Sequence, residues 1–352
     1  MNIIDCDVHP LESAATPLTP FIPANFREAL KLGMASSPGT GYANPFGVIR
    51  RDANCVDPRA VGRDYLDPHD VRYAVLQPPG MYVSLTRNID VGSALATAWN
   101  DWLVETWLNA DKRFLGSVSV NMNDPVAAAA EIRRIGGHEQ MVQVLVTGES
   151  VHLYGHRAYD AVYDACCEMG LAFAMHPGSE GALDSSTPVG APSSYFEWHT
   201  TLPLTFQAHC VSFLAEGTFE RFPKLKVMLV EGGIGWLPSL LWRMDKNFKA
   251  LRATVPWLKR LPSEYAFDHI RLTTQPIEEP PKDEMLLQMF EMLHAERTLC
   301  YSSDFPHWDF DDPRKALPSR MPTALAQRIY HDNAAELYGL SVEDAVPKTE
   351  AG

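Results

Sequence analysis

Four short stretches of this sequence carry the side chains that divalent-metal chemistry needs. They are Asp5-Cys6-Asp7-Val8-His9 near the start, His176-Pro177-Gly178, Glu231-Gly232-Gly233, and Asp304-Phe305-Pro306-His307. Carboxylate oxygen and imidazole nitrogen together suit zinc, manganese or iron, with a position left open for water or substrate. Asp7 and His9 are two apart, so on a strand both point to one side. Taken singly, each stretch has an ordinary explanation. An Asp-x-His is commonly a capped turn, His176 a hydrogen-bonded core histidine, and Asp304 before Phe-Pro a turn residue. Their common place at the ends of apolar runs sets them apart.

Eight such runs recur: Asn2–Asp7, Tyr73–Gln77, Leu115–Val120, Val142–Val146, Leu171–Met175, Lys226–Val230, Ile270–Thr274 and Leu299–Ser303. Val227-Met228-Leu229-Val230 is too uniformly apolar for a half-exposed strand and suits a parallel sheet buried on both faces. Helical patterns fill the intervals. Asp90–Leu108 carries Leu95, Trp99, Leu103 and Trp107 at fourfold spacing, one apolar stripe. Asp124-Pro125 opens a helix with a cap and an N-terminal proline, and Gly136-Gly137 closes it. The alternation predicts a (β/α)8 TIM barrel, with a doubly wound open sheet as the alternative. In a barrel, the C-terminal strand ends then supply Asp, His, His, Glu and Asp to one mouth. A single domain over residues 1–340 is expected, with an excursion at about 10–70, a second irregular stretch at Gly178–Thr200, and a polar tail at 341–352.

The composition excludes some function classes. The 352 residues hold 46% hydrophobic and 21% charged side chains, an ordinary globular balance. Thirty Lys and Arg against 44 Asp and Glu give a formal charge of −14, which argues against nucleic-acid binding. The six cysteines form no CxxC and read as reduced thiols of a cytoplasmic protein. Neither a leader segment nor a membrane span is expected. No HExxH, P-loop or GxSxG occurs, and Gly232-Gly233-Ile234-Gly235 lacks the third glycine of a dinucleotide fingerprint.

With these motifs in place, the chain resembles the amidohydrolase superfamily. The branch is that of 2-amino-3-carboxymuconate-6-semialdehyde decarboxylase and related aromatic-acid decarboxylases. The matching pieces are Ile4 to His9, the His176-Pro-Gly turn, Phe222 to Gly233, Trp236-Leu-Pro238 with Arg243, Ser303 to His307, and Asp332 to Tyr338. The resemblance implies one divalent metal, zinc first, with manganese or iron as alternatives, held by Asp7, His9, His176 and Asp304. Two departures stand out. Many relatives have His-x-His or Glu-x-His where this chain has Asp7-Val8-His9, and many carry a catalytic histidine where it has Glu231.

The implied reaction is non-oxidative decarboxylation, or related C–C cleavage, of a small carboxylated aromatic or unsaturated acid. Hydrolysis of an amide, ester, lactone or C–C bond is the alternative, and an inactive ligand-binding barrel is a second one. Asp304 would shuttle the proton and Glu231 would orient water or substrate, with His176 completing the catalytic set. Arg243, Trp236 and His307 are the candidate substrate-binding residues; Arg243 would act across a homodimer interface, and Trp198 would share the wall with Trp236. His199 and His209 fall in a helical region and read as structural.

Overall fold

The computed structural model describes residues 2–31, 55–178, 187, 190 and 192–340. The expected tail at 341–352 lies outside the described residues, as does the middle of the excursion. All eight apolar runs form strands: β1 Ile3–Val8, β2 Val71–Leu76, β3 Phe114–Ser119, β4 Met141–Thr147, β5 Ala172–His176, β6 Val227–Leu229, β7 Ile270–Thr273 and β8 Leu299–Cys300. They pair in chain order, every pair parallel. The ring closes between β8 and β1. Cys6 donates its N–H to the Tyr301 carbonyl at 3.0 Å and His9 donates to that of Phe305 at 2.8 Å. The sheet is therefore a (β/α)8 barrel, and the open doubly wound alternative is excluded.

β8 is shorter than the apolar run Leu299–Ser303 suggests, for a local reason. Past Cys300 the backbone turns toward β1, and the Ser303 N–H binds the Asp5 carboxylate at 2.9 Å instead of a neighbouring strand. β1 has its own irregularity. Asp5 pairs with Ala74 but Val8 with Leu76, so β1 carries one extra residue there. A bulge of this kind re-aims side chains, and Asp7 lies inside it.

The helices form where periodicity and caps place them. Ile89–Leu103 starts at Asn88, whose side chain accepts from the Val91 N–H. A wider turn, Val104–Leu108, continues it, and Leu103 and Trp107 are fully buried. Each such side chain contributes about 1.5–3 kcal/mol by leaving water. Asp124 caps Pro125–Ile135 by accepting from the Ala127 N–H at 3.0 Å. Ile4, Cys6, Val75, Ala174, Met228 and Cys300 belong to one inner apolar cluster, which Ala334, Ala335 and Tyr338 of the helix Asn333–Tyr338 join. Tyr338 donates to Gln143 Oε1 at 2.8 Å.

The excursion leaves and returns at one place, since the Leu11 N–H bonds the Cys55 carbonyl at 2.9 Å. Its returning end lays Tyr65 flat on Phe305, ring centres 4.4 Å apart.

Candidate metal centre

Asp7 and His9 stand at the end of β1, His176 is the last residue of β5, and Asp304 follows β8. None is more than 4% exposed. His9 Nε2 lies 3.1 Å from Asp7 Oδ1 and 3.0 Å from Asp304 Oδ1, and His176 Nε2 lies 3.8 Å from Asp7 Oδ2. One donor atom from each of the four falls within 4.8 Å of all the others. Both Asp7 oxygens, His9 Nε2 and His176 Nε2 are sealed from solvent and have no hydrogen-bond partner among the described residues. A buried carboxylate that accepts no hydrogen bond, as in Asp7, is costly to keep ionised. A cation at the point where these atoms converge removes that cost, so the residues fit a bound divalent metal.

Second contacts hold the cluster in this pose. His176 Nδ1 sits 2.6 Å from the Pro177 carbonyl, which leaves Nε2 facing the carboxylates. Asp5 ties β1 to β8. Its Oδ1 accepts from the Asp7 N–H at 3.1 Å and from the Ser303 N–H at 2.9 Å, while its Oδ2 accepts from Ser303 Oγ at 2.6 Å and from the Tyr65 hydroxyl. Gln275, fully buried, reaches Asp304 Oδ2 at 3.4 Å and the Asp309 carbonyl at 3.3 Å.

Two site residues hold a left-handed backbone that side chains ordinarily avoid: Glu231 at φ 60° and Asp304 at φ 57°. Each such residue costs about 1–3 kcal/mol, and such strain clusters at functional sites. The turn after Glu231 is heavily fastened. Glu231 donates its N–H to Thr273 Oγ1 at 2.9 Å, and Glu278 accepts from the N–H groups of Ile234 and Gly235, each at 3.0 Å. Gly233 has φ +67°, and a Cβ there would stand 2.9 Å from Glu278 Oε1.

The electrostatics follow from burial. Burial pushes the Asp7 carboxyl up, but His9, His176 and His307 outweigh it and hold it below the usual range. Burial raises Asp304 well above that range, with His307 opposing and Glu231 adding to the rise; a dication beside Asp304 acts in the opposite direction. Asp5 is pushed up to about 7 by burial, against the hydrogen bonds it accepts from Ser303 and Tyr65.

The other residues singled out from the sequence divide. Glu231 comes to the cluster, its Oε2 2.9 Å from His176 Nε2. His307 does as well, its Nδ1 2.6 Å from Asp304 Oδ1 and its ring 4.1 Å from that of His9. Trp236, expected on the substrate wall, is buried, and its indole N–H bonds the carbonyls of Gly232 at 2.9 Å and Gly233 at 3.1 Å. Its ring belongs to the core cluster. Arg243 is exposed on the helix Leu237–Leu251 and contacts none of the four cluster residues.

His209 is structural, as expected. It is buried, with its Nδ1 accepting from the Tyr154 N–H at 3.0 Å and its Nε2 2.6 Å from the Gly148 carbonyl. His199 carries the same structural expectation. From the helix Tyr195–Thr201 it approaches Asp309 Oδ2 at 3.4 Å and, with Glu231, forms a second group of ligand-type atoms. Sequence reasoning gave no role to Asp5, Tyr65, Tyr195, Gln275, Ser303, Trp308 or Asp309. Only Asp309, five residues past Asp304 in the acidic stretch Asp309-Phe310-Asp311-Asp312, left a readable mark.

A family model for the amidohydrolases matches residues 4–340. The chain belongs to the amidohydrolase family. Among this amidohydrolase's relatives is the gamma-resorcylate decarboxylase of Polaromonas sp. (strain JS666), 26% identical over 70% of this chain and 76% of that one. A 2-amino-3-carboxymuconate-6-semialdehyde decarboxylase of Dictyostelium discoideum is 25% identical over 56% of this chain and 54% of its own. Among solved structures, a dihydroxybenzoic acid decarboxylase from Polaromonas sp. JS666, with bound manganese and the inhibitor 2-nitroresorcinol, superposes with TM-score 0.70 at 19% identity. It covers 98% of this chain and 99% of that one. The amidohydrolase has no helix, among its described residues, long and apolar enough to cross a membrane.

Proposed function

We propose that this amidohydrolase is a metal-dependent carboxy-lyase that removes CO2 from a small carboxylated aromatic acid. The observation that carries the reading is the convergence of Asp7, His9, His176 and Asp304, with their buried donor atoms left for a cation. The decarboxylase relatives support the reaction class. The donor set of two nitrogens and two carboxylates suits manganese and zinc alike, and the manganese in the Polaromonas structure favours trying manganese first.

When bound, the ion supplies Lewis acidity toward the substrate's carboxylate and neighbouring oxygen. The chain's own residues must then manage a proton. Breaking the C–C bond leaves an electron pair on the ring carbon, and a proton must meet it as CO2 departs. Asp304 is placed to deliver that proton, and His307, bonded to it at 2.6 Å and partly exposed, links it to solvent for return. Proton transfer from a positioned side chain is worth roughly 10²–10⁴ in rate. Glu231 orients the substrate beside His176. Tyr195 and Trp308, joined by a 3.2 Å hydrogen bond, and the neighbouring Trp198 supply an aromatic wall.

Arg243 and the adjoining Trp242, the latter 60% exposed, mark the face through which a homodimer would share its sites. The six free and mostly buried cysteines favour a reducing, cytoplasmic setting. Screening dihydroxybenzoates, carboxyvanillate-type acids and simple amides in ¹⁸O-labelled water tests the reaction class. Released CO2 with an unlabelled phenolic product is the expected result. Label entering the product, with no CO2, would overturn it in favour of hydrolysis.

A further inference from the structure

We propose that His199, Glu231 and Asp309 form a second divalent-metal site beside the first. Three parts of the fold converge there: the helix Tyr195–Thr201, the left-handed residue that follows β6, and the loop after β8. One donor atom from each lies within 4.8 Å of the other two. An imidazole with two carboxylates suits a first-row divalent ion such as manganese or zinc, with positions left for water or substrate.

Asp309 Oδ2 is sealed from solvent and makes no hydrogen bond among the described residues. The 3.4 Å approach of His199 Nε2 misses hydrogen-bond geometry. Aromatic rings hold the imidazole in place. Tyr195 stacks on His199 with centres 5.6 Å apart, and Trp308 and Trp198 stand at 5.8 and 6.3 Å.

Charge points the same way. The mouth gathers Asp7, Asp304, Glu231 and Asp309, and among the described residues Asp7, Asp304 and Asp309 form ion pairs only with histidines. A second dication would add positive charge beside Glu231 and Asp309. Glu231 belongs to the second group and also touches the first, its Oε2 2.9 Å from His176 Nε2. The proposal rests on the single-ion reading only for the first site and adds an ion to it.

Counting ions separates the two readings. The full-length protein is stripped with a chelator, saturated with manganese chloride and freed of excess, and metal per chain is measured with circular dichroism as a check on folding. The wild type is expected to hold two manganese ions per chain. His199→Ala and Asp309→Asn are each expected to hold one, and His176→Ala to lose the other. Asp309→Asn preserves shape, so a collapsed His199→Ala would not spoil the comparison. One ion in the wild type, or equal counts in wild type and both variants, would overturn the second site and leave the first standing. No bound ion in the wild type would overturn both.

Discussion

Asp304 and His176 are expected to fail in different ways when altered, although both stand in one cluster. His176→Ala removes an imidazole ligand whose orientation is set by the Pro177 carbonyl. Affinity for the first ion should fall by more than the roughly 10–100-fold that loss of an outer partner costs. Asp304→Asn keeps an oxygen at the same place but cannot relay the proton. It should retain that ion while turnover falls by roughly 10²–10⁴. Metal analysis beside CO2 release checks both, and a fully active, metal-loaded His176→Ala would show that the ligand set is misassigned.

Asp5 gives a second prediction at this scale. It satisfies donors from Asp7, Ser303 and Tyr65, so Asp5→Ala should cost about 1–3 kcal/mol by stranding buried donors. It should also weaken metal affinity roughly 10–100-fold. Equilibrium unfolding and metal titration would read the two effects, and unchanged affinity would argue that Asp5 serves folding alone.

The elements show what was legible in the sequence and what was not. Asp7, His9, His176 and Asp304 could be read because each ends an apolar run, and a parallel barrel delivers all such ends to one mouth. Asp5 could not. Simple alternation pairs it with Asp7, whereas the extra residue in β1 lets Asp7 meet His9 and His176 while Asp5 meets Tyr65 and Ser303. The meeting of Asp309 with His199 was hidden for a different reason. One stands in the loop after β8 and the other on the helix Tyr195–Thr201, and no periodicity encodes that meeting.

At the element scale, Gly233→Ala should cost about 1–2 kcal/mol through its left-handed backbone. The further crowding against Glu278 should lower turnover by displacing Glu231. His209 supplies a pH test. Burial lowers its pKa from 6.5 to about 4, so the unfolded chain binds the extra proton first. Stability should therefore be full above about 6.5 and fall as pH drops toward 4, by about 3 kcal/mol in all. Protonation would also turn Nδ1 into a donor facing the Tyr154 N–H. Urea unfolding across that range should show the slope, and His209→Gln should flatten it.

For the whole molecule, the barrel was readable from eight apolar runs in alternation with helices, and its closure is now seen at β8 and β1. The proposed sharing of sites between two copies gives Arg243, exposed and outside its own chain's cluster, a role in the other copy's site. Arg243→Ala should raise KM or lower kcat/KM with metal content unchanged. Mixing it with Asp304→Asn should restore activity, because one site of the mixed dimer regains both an intact metal centre and a working arginine. A fully active monomer at working concentration would exclude this.

The measurement closest to the central claim is stepwise reconstitution of the chelator-stripped protein with manganese, following bound metal and CO2 release from a dihydroxybenzoate together. CO2 release should be absent in the stripped protein, rise in step with filling of the tightest site, and stay absent in His176→Ala at the same added manganese. Release that persists after complete metal removal, or that ignores the His176 substitution, would contradict a metal-dependent decarboxylase built on Asp7, His9, His176 and Asp304.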